Sequence, residues 1–298
     1  MPQENSKKHQ LPQRSLAYLF YLSFGIFGTQ MAFGLESSQL GRLFQTIGAS
    51  PELLGIIFII PPLTGLFVQP IIGKYSDQTW LPKLGGRRVP YLIIGSILTA
   101  LTLILLPNSG SFGWPTTIAV WVATAILGIF MIASNIAVQP YKMMVGDLVN
   151  QEQRGQAYSI QSQLLNAGAT IASITPFVMT TFGMANTAEA GVVPATVKYA
   201  FYLAAFALLV SATITVVKIK ENNPIEFAAV HGGDVDQPRK SMWQLTKEAP
   251  RIFWLVGLVQ FFGFFAVSYL WFTVQDFWRI TSTTPLIPTA LGTKWVVI

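Results

Sequence analysis

The chain has 298 residues, of which 52% are hydrophobic and only 11% charged, and it carries a net charge of +6. A soluble domain is about one quarter charged, so this composition excludes a water-soluble globule and makes lipid the solvent for most of the surface. The absence of cysteine excludes disulfides, thiolate metal sites and a thiol nucleophile.

In hydrocarbon only helices and closed barrels satisfy every backbone N–H and C=O, and continuous apolar runs are not the alternating strands of a barrel. The expected fold is therefore all-α, a polytopic transmembrane helical bundle. An uncharged run from Ser15 to Leu35 opens span one, Ser15–Phe44. It follows a polar tail and lacks a short apolar core ending in a small-residue cleavage site, so it reads as a retained anchor. Spans two to seven follow at Glu52–Lys74, Val89–Leu106, Pro115–Met144, Gly155–Thr180, Val197–Val217 and Arg251–Gln275. Each is long enough to cross about 30 Å. Pro61, Pro62, Pro70, Pro140 and Pro176 interrupt them and predict kinks.

Glu221–Ala249, between spans six and seven, is polar and punctuated by Pro224, Gly232, Gly233 and Pro238. Six spans, a linker and a new span are the order of a carrier built from two repeated six-helix bundles. The expected domains are a cytoplasmic tail (1–14), an N-terminal six-helix bundle (15–219), a cytoplasmic linker (220–249), and the first helix of a second bundle with the extracytoplasmic segment after it (250–298). The end at Ile298, at the entry to an eighth span, reads as a C-terminal truncation, either of the record or of the gene product.

The cations are sorted by loop rather than gathered on one soluble face, so the basic balance is not that of a nucleic-acid binder. Lys7, Lys8, Arg14, Lys74, Lys83, Arg87, Arg88, Lys142, Arg154, Lys218, Lys220, Arg239, Lys240, Lys247 and Arg251 lie on one side, against Arg42, Lys198, Arg279 and Lys294 on the other. The positive-inside rule places the N-terminus in the cytoplasm of a cell whose plasma or inner membrane holds the protein.

Gly73, Asp77, Gly86, Arg87 and Arg88 occupy the turn between spans two and three, where a carboxylate ends one helix and a basic cluster begins the next. Such a turn clamps two helices through charge-assisted hydrogen bonds, or serves only as topogenic charge. Asp147 and Arg154 repeat the acid-then-base order after span four and are assigned with it to a cytoplasmic gate. The G-x-x-x-D followed by G-R-R resembles the signature loop of the major facilitator superfamily, stretched between Asp77 and Gly86. Five further stretches narrow the resemblance to the sucrose and maltose proton symporters of plants, animals and bacteria. They are Phe44–Ala49, Val68–Pro70 with Ser76–Trp80 and Arg87–Tyr91, and Asn135–Asp147, which reads N-I-A-V-Q-P-Y-K-M-M-V-G-D. The resemblance implies a twelve-helix alternating-access carrier moving a disaccharide or related α-glucoside with a proton. It also implies coupling through the basic residue at Lys142. The plant members carry an intramembrane aspartate eleven residues before that position, where this chain has Met131.

On span four, Gly128, Met131, Asn135, Gln139 and Lys142 recur at steps of three or four and share one face. A lysine at membrane depth costs about 3 kcal/mol, so Lys142 faces the interior, a water cavity or a carboxylate, or else snorkels to the surface. With methionine at 131, the candidate proton carrier within a span is Glu36. A carboxyl held there can load a proton on one side and release it on the other when its cavity rehydrates. The alternative is a static pair with Lys142 or Arg42.

Span five presents Ser159, Gln163, Asn166, Thr170 and Ser173 in one stripe. Such a face either meets sugar hydroxyls across a wet cavity or zips helices together at about 0.6 kcal/mol per contact. Gln163 and Asn166 are assigned to sugar, the rest to packing. Gln30, Gln39, Asn135, Gln139 and Trp271 complete the expected sugar site, because planar amides match paired hydroxyls and an indole stacks on a pyranose. There is no phosphate loop, zinc-type histidine pair or nucleophile elbow, so neither an enzyme nor a cofactor is expected. The reading is proton-coupled uptake of a sucrose- or maltose-type sugar by a protein monomeric at full length. The rivals are an inactive fragment or sensor, and an uncoupled carrier of another sugar.

Overall fold

The computed structural model describes residues 11–189, 191–223, 244, 247–263 and 266, with the side chains of Asp77, Gln78 and Lys83 outside that description. The described chain is helical, and six of its helical stretches are long and apolar enough to cross a membrane.

Helix α1 (Leu16–Ile47) begins at Ser15, whose Oγ accepts the Tyr18 amide hydrogen at 3.2 Å. It ends at Gly48, whose φ of 106° is a left-handed conformation natural to glycine and closes the last turn onto the carbonyls of Phe44 and Gln45. The second span is divided. Helix α2 (Pro51–Ile57) gives way at Phe58 and Ile59 to α3 (Ile60–Gln78), because Pro61 and Pro62 have no N–H to continue the ladder. Helix α4 (Val89–Leu105) runs on through a 3₁₀ stretch, Leu106–Phe112. Helices α5 (Thr116–Leu148), α6 (Arg154–Thr181) and α7 (Ala195–Lys218) complete the six spans, with Pro140 inside α5 and Pro176 inside α6.

The chain divides into two compact units, 1–235 and 236–298. In the first, α1 is the central helix, packed on α5, α6 and α7, while α5 also holds α3 and α4. Small residues set these crossings. A Cβ on Gly28 would lie 2.5 Å from the Leu208 Cα of α7, and one on Gly95 would lie 2.5 Å from the Ala137 nitrogen of α5. Where α7 meets α1, the Thr215 hydroxyl donates to the Tyr21 carbonyl and accepts from the Gly25 amide, inserting into the helical ladder. One apolar core gathers Leu35, Phe44, Phe130 and Phe201, and a second gathers Leu19, Leu22, Tyr141 and Leu148.

Both ends of α1 are tied down. At its start the Arg14 amide donates to Gln153 Oε1 at 2.8 Å, and Gln153 Nε2 donates back to the Arg14 carbonyl at 2.9 Å. At its end Arg42 donates to the Asn186 carbonyl, and the Gly191 amide donates to the Thr46 carbonyl at 3.1 Å. The second unit, described for few residues, contains the apolar helix α8 (Arg251–Gly263). The remainder of the expected seventh span, with Trp271, lies outside the described residues.

Candidate functional site

A cluster of charge closes one end of the bundle. The turn after α3 folds back through a short 3₁₀ stretch, Pro82–Leu84, and Gly85 at φ 79°, so that the Leu81 amide donates to the Gly86 carbonyl. This sets Arg87 and Arg88 at the start of α4. Arg87 reaches Asp147 of α5 at 3.0 Å, and Arg88 donates to the same Asp147 oxygen through Nε. Arg88 is only 5% exposed, and its Nη1 also meets Ser76 Oγ of α3 at 3.2 Å and the Met143 sulfur of α5. One guanidinium thus joins three helices.

The cluster has a member that the motif does not contain. Glu221, beyond the end of α7, accepts the backbone amides of Arg87 at 3.0 Å, Arg88 at 2.9 Å and Val89 at 2.8 Å. A carboxylate on three free N–H groups at a helix start satisfies orphan donors and complements the helix dipole. Gly86 makes room for it, since a Cβ there would stand 2.6 Å from the Glu221 carboxyl carbon. Gly73 similarly leaves space for the Met143 methyl, 3.0 Å from the position of a Cβ. Arg154 is not drawn into the cluster. It donates to the Gly146 carbonyl at 2.8 Å and the Val149 carbonyl at 3.3 Å, capping the end of α5. Asp77 lies in the last turn of α3, with its side chain outside the description.

The polar residues expected at membrane depth divide into a buried set and an exposed set. Asn135 is 3% exposed; its Oδ1 accepts Gln69 Nε2 of α3 at 2.8 Å and its Nδ2 donates to the Met131 carbonyl. Both ends of that amide are occupied by protein, and its bond to Gln69 ties α5 to α3. Gln139 is buried, whereas Lys142, seven residues beyond Asn135 on the same face, is exposed. Glu36 and Gln39 are buried in α1, while Ser37 and Ser38 between them are exposed. Glu36 has no ion pair or hydrogen bond among the described residues, and Arg42 is engaged with Asn186 instead. A static Glu36 pair with Lys142 or Arg42 is therefore absent from this conformation.

Gln163 and Asn166 belong to the second set. Gly168 of α6 is the residue that meets α1, since a Cβ there would touch the Phe27 carbonyl and the Gln30 Cβ, which is half-buried. Two residues from Gly168 is more than half a turn, so Asn166 lies on the far side of α6. Ser159, Gln163, Asn166 and Thr170 are all exposed there, and Asn166 Nδ2 donates to the Ser162 carbonyl. Gln163 and Asn166 are thus exposed, whereas Gln39, Asn135 and Gln139 are buried. Sequence spacing had no signal for Gln69 as the Asn135 partner, or for Glu221.

Comparison with known proteins bears on what this arrangement serves. The sequence is 24% identical over 276 residues to a general alpha-glucoside permease of Schizosaccharomyces pombe, a match covering 87% of this chain and 47% of that protein. It is 27% identical over 276 residues to the sucrose transport protein SUT3 of Oryza sativa subsp. indica, with 83% and 53% covered. A shorter match, 28% over 150 residues, joins it to the sucrose transport protein SUC3 of Arabidopsis thaliana, with 45% and 24% covered. The chain spans about half the length of the first two relatives. The Major Facilitator Superfamily profile matches residues 19–296. With nearly its whole length inside that match and its six membrane-length helices in one bundle, this chain belongs to the Major Facilitator Superfamily.

Proposed function

We propose that the chain is part of a secondary active transporter that takes up a disaccharide or related α-glucoside, of the sucrose or maltose type, by alternating access with proton symport. The observation that carries this reading is the exposed row of Ser159, Gln163, Asn166 and Thr170 on a membrane-length helix. Such a row is costly against acyl chains and suits a water-filled path to a polyhydroxylated solute. The names of the relatives supply the solute class. Nothing in this arrangement calls for enzymatic chemistry.

In this reading residues 15–219 form the first bundle, 220–249 the linker and 250–298 the start of the second bundle, with the N-terminus in the cytoplasm of the cell membrane. Lys142, Gln163, Asn166 and Gln30 are offered to the solute; Trp271, the remaining residue expected at the sugar, lies outside the described residues. Glu36 carries the proton. Gln39, Asn135 and Gln139 act from buried positions. The Arg87–Arg88–Asp147 cluster with Glu221, Gly73, Gly86 and Asp77 fixes the cytoplasmic side of the bundle, and Arg154 supports it through α5. A proton falling through 100 mV supplies about 2.3 kcal/mol, equivalent to roughly fiftyfold sugar accumulation.

The test is uptake of labelled sucrose and maltose into proteoliposomes carrying the protein, with and without an imposed pH gradient. Accumulation that collapses when the gradient is dissipated supports the whole reading. Equilibration indifferent to the gradient removes the symport, and failure to take up either sugar removes the substrate class.

A further inference from the structure

Two cations at one end of the bundle rest on aromatic rings. The Arg14 guanidinium carbon stands 4.6 Å from the centre of the Tyr18 ring, and Lys218 Nζ, in the last turn of α7, stands 5.8 Å from the centre of the Tyr21 ring. Among the described residues neither cation forms an ion pair, and no acceptor meets the Arg14 guanidinium. The carboxylates nearest in the chain do not serve them. Glu221, three residues after Lys218, is taken up by the amides at the start of α4, and Glu152, beside Gln153, forms no ion pair with Arg14. A ring face attracts a cation through its quadrupole without neutralising it, so both charges remain open to an anion.

The backbone fixes where that charge sits. The reciprocal bonds with Gln153 hold Arg14 at the start of α1. Thr215, three residues before Lys218, bonds the Tyr21 carbonyl and the Gly25 amide and so holds the last turn of α7 against α1. Tyr18 and Tyr21 are three apart and therefore neighbours, and helical side chains lean toward the N-terminus. Both rings thus hang toward the end where the cations stand, and the cations flank them. Beyond the rings the surface turns apolar. Phe20 meets Tyr21 edge to face at 6.0 Å, Phe24 stacks on Phe20 at 5.2 Å, and Phe27 on Phe24 at 5.9 Å. Phe20 is exposed and the other two are half-buried, so a strip of ring surface runs from the charged end along α1 toward the middle of the span.

A soluble anion makes no use of that strip, and an uncharged lipid makes none of the cations. A molecule with an anionic head and an acyl tail uses both, and tyrosine is at home at the headgroup level between them. We propose that Arg14 and Lys218, on their tyrosines, hold the headgroup of an anionic phospholipid whose acyl chain lies along the stack of Phe20, Phe24 and Phe27. The phosphate oxygens accept from the guanidinium and the ammonium. Under the orientation proposed above the site opens to the cytoplasmic leaflet, where anionic lipid attracts basic side chains. The site is independent of the sugar and of the proton.

The experiment titrates the purified protein, in a non-ionic detergent, with phosphatidylglycerol, and in separate arms with phosphatidylcholine and with glycerol phosphate. The unfolding midpoint is followed by tryptophan fluorescence. The expected result is a rise of about 3 °C with phosphatidylglycerol and none in the other arms. R14Q and K218Q each weaken the apparent affinity for phosphatidylglycerol about fivefold, and K218R retains it. K74Q, which removes an exposed lysine of α3 at the same end of the bundle, leaves it unchanged. Helix content by circular dichroism confirms that each variant is folded. No rise with phosphatidylglycerol, an equal rise with phosphatidylcholine, or a rise with glycerol phosphate alone overturns the site. So does a K74Q that weakens binding as much as K218Q, or an R14Q/K218Q double variant that binds like the wild type. Neither sugar nor a pH gradient enters the assay, so its failure leaves the transport reading standing, and failure of uptake leaves the lipid site standing.

Discussion

Arg88 shows how a charge is kept inside a membrane protein's end without being wasted. It is buried, yet Asp147, Ser76 and Met143 together occupy its guanidinium, and its own backbone amide is held by Glu221. Removing Glu221 strands three N–H groups at the start of α4. We expect E221A to lower stability by about 1–2 kcal/mol, read as a lower unfolding midpoint in detergent, and E221Q to recover part of the loss because an amide oxygen still accepts. The sequence marked these residues as two separate acid-then-base turns, Asp77 with the arginines and Asp147 with Arg154; the bonds that cross from Arg87 and Arg88 to Asp147 were not legible in it. Glu221 was not legible either, because it lies more than a hundred residues downstream at the head of a polar stretch that reads as linker. Asn135 teaches the same lesson from the other side. Its type and depth suggested a sugar ligand, but Gln69 and the Met131 carbonyl take up its amide.

At the level of helices, the boundaries of the first six spans were legible almost throughout, since each is a long apolar run closed by polar or glycine-containing turns. The exception is the second, where the proline pair predicted a kink and the structure has a break between α2 and α3. Which way a face points was less legible. A period of 3.6 residues says which side chains travel together, and the α6 stripe does travel together, but it does not say which neighbour they meet. The answer came from Gly168, whose close approach to Phe27 and Gln30 fixes the opposite side of α6 to α1. The same reasoning makes Gly95 a sensitive position. A methyl there meets the backbone of Ala137 and Ala133, which cannot rotate aside. G95A is expected to push α4 from α5 and cost about 1–3 kcal/mol. An unchanged midpoint would show that the crossing has slack.

For the bundle as a whole, composition alone identified the solvent, and the repeated spans identified the class. The sidedness rests on charge and is open to direct measurement. The chain has no cysteine, so single cysteines at Gln151 and Thr187, both exposed and at opposite ends of the bundle, report without background. In intact cells a membrane-impermeant maleimide is expected to label T187C, and Q151C only after the membrane is opened. The reverse pattern would invert the proposed topology. What composition could not supply is the separation of buried from exposed amides, because that depends on how six helices share a small number of crossings.

The ties at the two ends of α1 bear on how such a bundle can move. The reciprocal amide bonds between Arg14 and Gln153 resist sliding at one end, and the Arg42 and Thr46 contacts with 186–191 resist it at the other. An axle bolted at both bearings cannot piston; it can only be carried along with its housing. Spectroscopic rulers placed wholly inside these six helices would therefore read constant lengths through a working cycle, and only rulers that reach outside them would register the stroke.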